Sequence, residues 1–334
     1  MTLAQSSQER PSCRPMISIV IVNYNSGTLL ERCLECLTRQ SYKTFEVLLV
    51  DNASQDNSLA GVESWPLQLR LLKSETNLGF AAANNRAIQQ ARGDWVACLN
   101  PDAYPQPDWL QELMLARQEY PEFQFFASLL LDASEPNRLD GTGDNYHVSG
   151  LAWRRDHGHL FNPQYLKPEE VFAPCAAAAL YRRDILQQVG GFDESYFCYF
   201  EDVDIAFRLR LLGYRCLFVP DSRALHQGSA ITGRRSEFSL YHGHRNLIWT
   251  YFKNMPTLML WVFLPQHLLI NLITIIRYTF RGQGRVLLKA KWHGLKGILE
   301  RRGQRRAIQS SRKISYWQLY RSMSKGLLTP YLKR

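Results

Sequence analysis

The sequence predicts an α/β protein with a mostly parallel central sheet flanked by helices, followed by a helical, basic C-terminal extension. Three observations carry this reading. Residues 17 to 128 alternate short β-branched runs with helical patterns, and strands apolar on both faces that alternate with helices form a parallel sheet covered on both sides. The segment "MPTLMLWVFLPQHLLINLITIIRYTF" (255–280) is the most apolar stretch of the chain. Residues 281 to 334 then hold 15 Lys/Arg and one acid, Glu300, a balance of +14, whereas the other 280 residues hold 25 basic and 29 acidic residues, a balance of −4.

The elements follow in order. "ISIVIVNY" (17–24) is a first strand and "TLLERCLECLTRQ" (28–40) a helix with apolar residues at three- and four-residue steps. "FEVLLVD" (45–51) is a second buried-type strand, followed by polar "NASQDNS" and a short helix. "LQLRLLK" (67–73) is a third strand, "GFAAANNRAIQQARG" (79–93) a helix closed by Gly93, and "DWVACLN" (94–100) a fourth strand. In such sheets ligands bind outside the carboxyl ends of the strands. Those ends carry Asn23, Tyr24 and Asn25, then Asp51 and Asn52, then Asn77, then Asn100 and Asp102. Any one of these suits a turn or a helix cap equally well; their recurrence at one sheet edge points to a cleft for a polar ligand.

There is no GxGxxG after the first strand and no GxxxxGK[ST] anywhere, so the phosphates of a bound nucleotide need another neutralising device. Asp102 in "LNPDAYPQPDWL" offers a hard oxygen ligand for Mg²⁺ or Mn²⁺, with a diphosphate completing the coordination. His226 offers a nitrogen ligand, which suits Mn²⁺ somewhat better; taken alone, a histidine after a strand is more often structural than a ligand.

The stretch "YFEDVDIAFRLRLLGYRCLFVPDSRALH" (199–226) crowds Glu201, Asp202 and Asp204 into one helical turn ahead of a strand that leads to His226. From Asp202 the helical spacing reaches Ile205, Ala206, Leu209 and Leu212, with Gly213 placed to end the helix. Asp202 therefore starts the inward-facing stripe, whereas Asp204, four residues before Arg208, reads as half of a solvated ion pair. Carboxylates in a first turn suit the helix dipole, and one at a cleft floor can also take a proton from an attacking hydroxyl. On spacing alone the two readings stand level.

Length and cysteines set the frame. The 334 residues suffice for one large domain with an appendage. Seven irregularly spaced cysteines indicate reduced thiols and a cytosolic setting. Cys33 and Cys36 form a CxxC within an apolar helical pattern, with no second pair at zinc spacing. Residues 1–15 are polar, with two prolines and no apolar run, and read as a disordered leader rather than a signal peptide.

Six segments, "ISIVIVNYNSGTLL", "VLLVDNASQDNS", "NLGFAAANNRAI", "ACLNPDAYPQPDWL", "ALYRRDILQQVGGFDESYFCYFEDVDIAFRLRLLGYRCLFVPDSRALH" and "HGHRNLIWTYFKNMP", occur in the order seen in family-2 glycosyltransferases of the GT-A fold. The set most resembles the bacterial rhamnosyltransferase branch and covers roughly residues 16 to 256. The resemblance implies an inverting transfer from a nucleoside diphosphate sugar, best matched by dTDP-L-rhamnose, to a glycan or lipid-linked acceptor in cell-surface polysaccharide synthesis. It implies donor-binding roles for Asn23, Tyr24, Asn25, Asp51, Asn77, Asn100 and Arg245, with Asp51 on the pyrimidine and Arg245 on the leaving diphosphate. Asp202 matches the general base, Glu201 its partner, and Asp102 and His226 the ligands of a divalent cation, Mg²⁺ or Mn²⁺. Two departures stand out: Asn100 replaces the first acid of the Asp-x-Asp motif, and "PCAAAAL" (174–180) has alanines where a glycine often lies near the donor sugar. A UDP- or GDP-sugar donor is the alternative, and a sugar nucleotidyltransferase, which would release pyrophosphate, a more distant one.

The charge step marks a boundary between a catalytic domain, 16–255, and an extension, 256–334. The apolar run is nearly long enough to span a membrane, but Pro265, Gln266, His267 and Asn271 lie in its middle, and a short Lys/Arg-rich segment resists translocation. The extension therefore reads as a peripheral anchor on an anionic cytoplasmic membrane face, the alternative being a helix packed on the catalytic core or on a second copy in a homo-oligomer. A basic tail also suits nucleic acid, but no recognised nucleic-acid motif accompanies it.

Overall fold

A computed structural model describes residues 16–228, 236–326 and 329; the leader read at 1–15 lies outside the described residues. Strands β1 (Ile17–Asn23), β2 (Phe45–Asp51), β3 (Leu69–Lys73) and β4 (Trp95–Leu99) run parallel in the spatial order β3-β2-β1-β4, with helices α1 (Leu29–Thr38) and α2 (Gly79–Gln90) in the crossovers. Side-chain alternation explains the layering. Ile17, Ile19, Ile21, Val47 and Leu49 join one core, and Val20, Leu48 and Val50 the core on the other face.

Two details differ from expectation. β3 is half-buried rather than buried because it is the edge of the sheet. Helix α2 ends at Gln90, and Ala91 turns the chain to extended. Gly93 serves packing instead: a Cβ there would stand 2.6 Å from the Ser18 backbone nitrogen on β1.

The chain continues through β5 (Ala103–Pro105), α3 (Trp109–Glu119), β6 (Phe125–Asp132), β7 (Leu139–Gly141), β8 (Asp144–Tyr146), β9 (Ala152–Arg154), β10 (Glu169–Val171), β11 (Ala178–Arg182), α4 (Arg183–Gln188), α5 (Glu201–Leu211) and β12 (Cys216–His226). β11 inserts antiparallel between β4 and β6, and β12 lies parallel to β6 with β10 at the far edge. β5 and β7 pair with the ends of β12 and β6, and β8 and β9 form a separate hairpin. The described cysteines are all free.

Helix α5 ends where Gly213 takes φ +95°, as its sequence indicates. Its polar face, however, is not solvated. Asp204 is fully buried and bonded to Arg208 at 2.8 Å, which corrects the reading of that pair as a surface ion pair. The cause is tertiary. Helix α6 (Glu237–Asn254) covers that face and brings Lys253 to 2.8 Å and Asn254 to 2.7 Å from Asp204.

Helices α7 (Thr257–Thr279), α8 (Gly284–Lys296), α9 (Arg302–Ser311) and α10 (Tyr316–Ser322) follow. α8 and α9 pack on α6, and α7 on α8. Within α7, His267 is buried against Tyr251, ring centroids 4.0 Å apart, and its Nδ1 reaches the Ser149 carbonyl at 2.7 Å. The opposite side exposes Leu258, Trp261, Val262, Leu268, Leu272 and Ile276.

Candidate active site

The carboxyl ends of β1 to β4 open into a cleft of about 1370 Å³. Of the residues expected there, Tyr24, Asn77, Asn100, Asp102, Glu201, Asp202 and His226 line it. Asn77 is set by a mutual network: Asn52 Nδ2 donates to Asn77 Oδ1 at 2.9 Å, and Asn52 Oδ1 accepts from the Leu78 N–H at 2.8 Å. Asn23, Asn25, Asp51 and Arg245 do not line the cleft. Asn23 is fully buried, donates to Ser54 and Ser58 and accepts from Ser26. Asn25, at φ +48°, accepts from the Gln55 N–H at 2.7 Å, and Asp51 accepts from the Ser54 N–H at 3.1 Å. Asn23 and Asn25 tie the loops after β1 and β2 together, and Asp51 sets the turn that opens the second of them.

Arg245 also points elsewhere. It lies over the Trp249 ring at 4.2 Å and donates to the Tyr196 carbonyl at 2.9 Å. Beside it, Asn246 Nδ2 approaches the carbonyls of Tyr196, Cys198 and Tyr199 at 3.1, 2.9 and 2.7 Å. The clamped loop is strained: Phe197, Tyr199 and Phe200 all have φ between +65° and +70°, a region costing non-glycine residues about 1–3 kcal/mol each. All three line the cleft, and the strained turn delivers Glu201 and Asp202 at the start of α5.

Both acids are perturbed. Burial raises the pKa of Asp202, opposed by hydrogen bonds from the Val203 N–H at 2.8 Å and the Ala176 N–H at 3.4 Å. Burial and the neighbouring Asp202 push Glu201 well above the ordinary carboxylate range, and its Oε2 is buried with no hydrogen-bond partner among the described residues.

Across the cleft, His226 Nδ1 is bonded to Asp140 Oδ2 at 2.7 Å, which turns Nε2 toward Asp102 Oδ1, 3.5 Å away. Burial opposes charge on His226, but hydrogen bonds and charges from Asp102 and Asp140 hold its pKa above the ordinary value. One carboxylate and one imidazole fixed by a second carboxylate suit a divalent cation that also takes oxygens from its substrate. The described residues contain no group of three or more His, Cys, Asp or Glu arranged to hold a metal by themselves.

The sequence reading missed a second wall. Asp140, Asp144, Arg154 and His157 also line the cleft. Arg154 donates to Asp140 Oδ2 at 2.5 Å; burial opposes charge on Asp140, but Arg154, His157 and His226 hold its carboxyl far below the ordinary range. Burial pushes Asp144 up to about 7 against the pull of Arg154, helped by the charges of Asp202 and Asp140. The signal was "DGTGD", two acids separated by glycines in a loop.

Polar ends on a parallel half-sheet, an Asp–His pair and an acidic helix start facing one cleft define a nucleotide-diphospho-sugar transferase of the GT-A fold. Residues 18–190 match the glycosyl transferase family 2 model, and the chain belongs to that family. It is a glycosyltransferase. It is 32% identical over 255 residues to the N-acetylglucosaminyl-diphospho-decaprenol L-rhamnosyltransferase of Mycobacterium tuberculosis, covering 69% of this chain and 82% of the relative. The fold resembles the mannosyltransferase PcManGT from Pyrobaculum calidifontis in complex with GDP-Man and Mn²⁺, with TM-score 0.54, 18% identity and coverage of 92% and 85% of the two chains. It also resembles GalNAc-T7 with UDP, GalNAc and Mn²⁺, with TM-score 0.54 and 18% identity, the match taking in 69% of this chain but 48% of that one.

Proposed function

We propose that this enzyme moves a sugar, L-rhamnose from dTDP-rhamnose, with inversion onto a hydroxyl of a glycan or lipid-linked acceptor in cell-surface polysaccharide synthesis. The observation that carries the reaction type is Asp202. Its half-buried carboxyl stands in the same cleft as the Asp102–His226 pair, and the hydrogen bonds it accepts from the described residues are from backbone N–H groups. Asp202 takes the proton of the acceptor hydroxyl as that oxygen attacks the anomeric carbon. Glu201 lies against it and favours its placement. Asp102 and His226 would hold Mg²⁺ or Mn²⁺, which supplies charge neutralisation for the departing nucleoside diphosphate. Tyr24, Asn77 and Asn100 border the donor. Asn23, Asn25 and Asp51 shape the base-binding loops, and Arg245 supports the donor site by holding the Ser195 and Tyr196 carbonyls just before the strained turn.

The sugar assignment is supported by the rhamnosyltransferase relative and the motif set. A panel of dTDP-, UDP- and GDP-sugars tests it: dTDP-rhamnose should protect the enzyme from thermal unfolding only with Mn²⁺ or Mg²⁺ present. Selective protection by a UDP- or GDP-sugar would move the donor assignment, and full activity after exhaustive chelation would remove the cation.

The division proposed is a catalytic domain at 16–255 and an extension at 256–334 that rests on the cytoplasmic face of an anionic membrane. α7 is long and apolar enough to cross a bilayer, yet His267 and Ile270 are buried while Trp261 and Leu268 face outward. Asn271 Nδ2 donates to the His267 carbonyl at 2.7 Å. A helix apolar on its outer side and pinned on its inner side fits an in-plane position, and each nearby Lys/Arg adds roughly 1 kcal/mol on an anionic leaflet. Flotation with anionic vesicles should weaken at high salt and after Trp261→Ser; a protein that ignores vesicles defeats this placement.

A further inference from the structure

The acids of the cleft differ in how well they are satisfied. Asp140 is bonded to both His226 and Arg154. Asp144, four residues on, is not. It is 8% exposed, it lines the cleft, and its buried Oδ1 has no hydrogen-bond partner among the described residues. The Arg154 Nε stands 3.9 Å from that oxygen, while the same guanidinium is committed to Asp140 through Nη1 and to Cys175 Sγ, 2.8 Å away, through Nη2. A buried carboxyl oxygen without a donor is unfavourable unless a ligand completes it.

The backbone is built to hold Asp144 there. A Cβ on Gly141 would stand 2.3 Å from Arg154 Cγ, so glycine lets Arg154 lie across β7. Gly143 takes φ +96°, and a Cβ there would press on Val171 at 2.9 Å. The Asp144 N–H then donates to the Ala173 carbonyl at 2.7 Å and fixes the residue beside Cys175 and Ala176 on the cleft wall. "DGTGD" thus sets two carboxyls on one wall, the first behind His226 and the second with one oxygen lacking a hydrogen bond.

We propose that Asp144 is a donor-sugar contact: its under-satisfied carboxyl, on the cleft wall, accepts a hydrogen bond from a hydroxyl of the transferred sugar. This rests on the glycosyl-transfer reading of the cleft. If the diphosphate lies at Asp102 and His226 and the base is Asp202, the sugar bonded to that diphosphate occupies the space between them. Asp144 borders this space from the His226 side and lies near enough to Asp202 to feel its charge. It reads the sugar and leaves the nucleotide to the loops after β1, β2 and β3.

The test measures, without acceptor and with Mn²⁺ present, the affinities of wild type, Asp144→Ala and Asp144→Asn for dTDP and dTDP-rhamnose, with UDP and UDP-GlcNAc, and GDP and GDP-mannose, in parallel. Measured well above pH 7, where the Asp144 carboxyl is ionised, losing a hydrogen bond to this group should weaken the sugar nucleotide about tenfold or more in Asp144→Ala while the nucleoside diphosphate binds as before. Asp144→Asn, which keeps the shape and an acceptor oxygen, should fold normally and lose less. In wild type, one donor analogue lacking a single sugar hydroxyl should bind about tenfold more weakly, and Asp144→Ala should no longer distinguish it. Equal weakening of both ligands, weakening of neither, or unchanged discrimination among the analogues overturns the proposal. Wild type that binds no nucleoside diphosphate or sugar nucleotide would instead overturn the glycosyl-transfer reading itself.

Discussion

Asp202 and Asp204 lie two residues apart on α5 and live in opposite regimes. Asp202 faces the cleft, with two backbone N–H groups for company and a raised pKa. Asp204 faces a sealed hub where Tyr196 donates at 3.1 Å, Asn254 at 2.7 Å, Arg208 at 2.8 Å and Lys253 at 2.8 Å. Lys253 also reaches Asp193 at 2.5 Å, which extends the hub to the loop before the strained turn. One helix thus separates work from support: carboxyls left under-satisfied on the cleft side, and a charge network completed on the other. The network holds the helix whose first turn delivers the proposed base.

The largest effect that tests this contrast is Asp202→Asn. Transfer should fall by about 10²–10⁴-fold, with donor affinity and melting temperature unchanged. In wild type, kcat/KM should fall as pH drops below a pKa above the usual carboxylate range near 4, because the base must be ionised to act; that limb should vanish in the variant. Substantial turnover by Asp202→Asn would leave Asp202 as a helix-start residue only.

Asp204→Ala should act on stability instead. Removing one partner of a buried ion pair costs about 3–5 kcal/mol, read as a lower denaturation midpoint, while turnover per folded molecule changes little if temperature is lowered to restore folding. A mild effect on stability, such as a solvated pair would give, would break the comparison.

The smallest effect is acid sensitivity. Burial opposes the charge on Asp193, but Lys253 with its hydrogen bond, Ser195 and Arg208 hold its pKa at about 2. A depressed folded value means stability present above the unfolded pKa near 4 and lost as pH falls toward 2, on the order of 2 kcal/mol. Denaturation midpoints between pH 5 and 2 should show this loss in wild type and a shallower one in Lys253→Met. Identical slopes would show that the hub does not set it.

Much of this molecule was legible in its sequence because the relevant signals are local. The two-sided apolar runs of β1, β2 and β4 follow from period-two burial, and the recurring Asn and Asp at their ends marked the cleft edge. Gly213 ended its helix for a reason confined to its own φ. Asp102, Asp202 and His226 were found by type and position after a strand or at a helix start, and all three line the cleft. The tertiary structure decided what depends on partners distant in sequence. Arg208 four residues on made Asp204 look solvated, and only the placement of Lys253 and Asn254, some 50 residues away, buried it. Asn23 and Arg245 are turned from the cleft by serines and by the carbonyls of a loop that no spacing rule couples to them. Asp144 became visible only when the fold closed around it and left one oxygen unpaired, since an unmet hydrogen bond is a property of the surroundings and not of the residue.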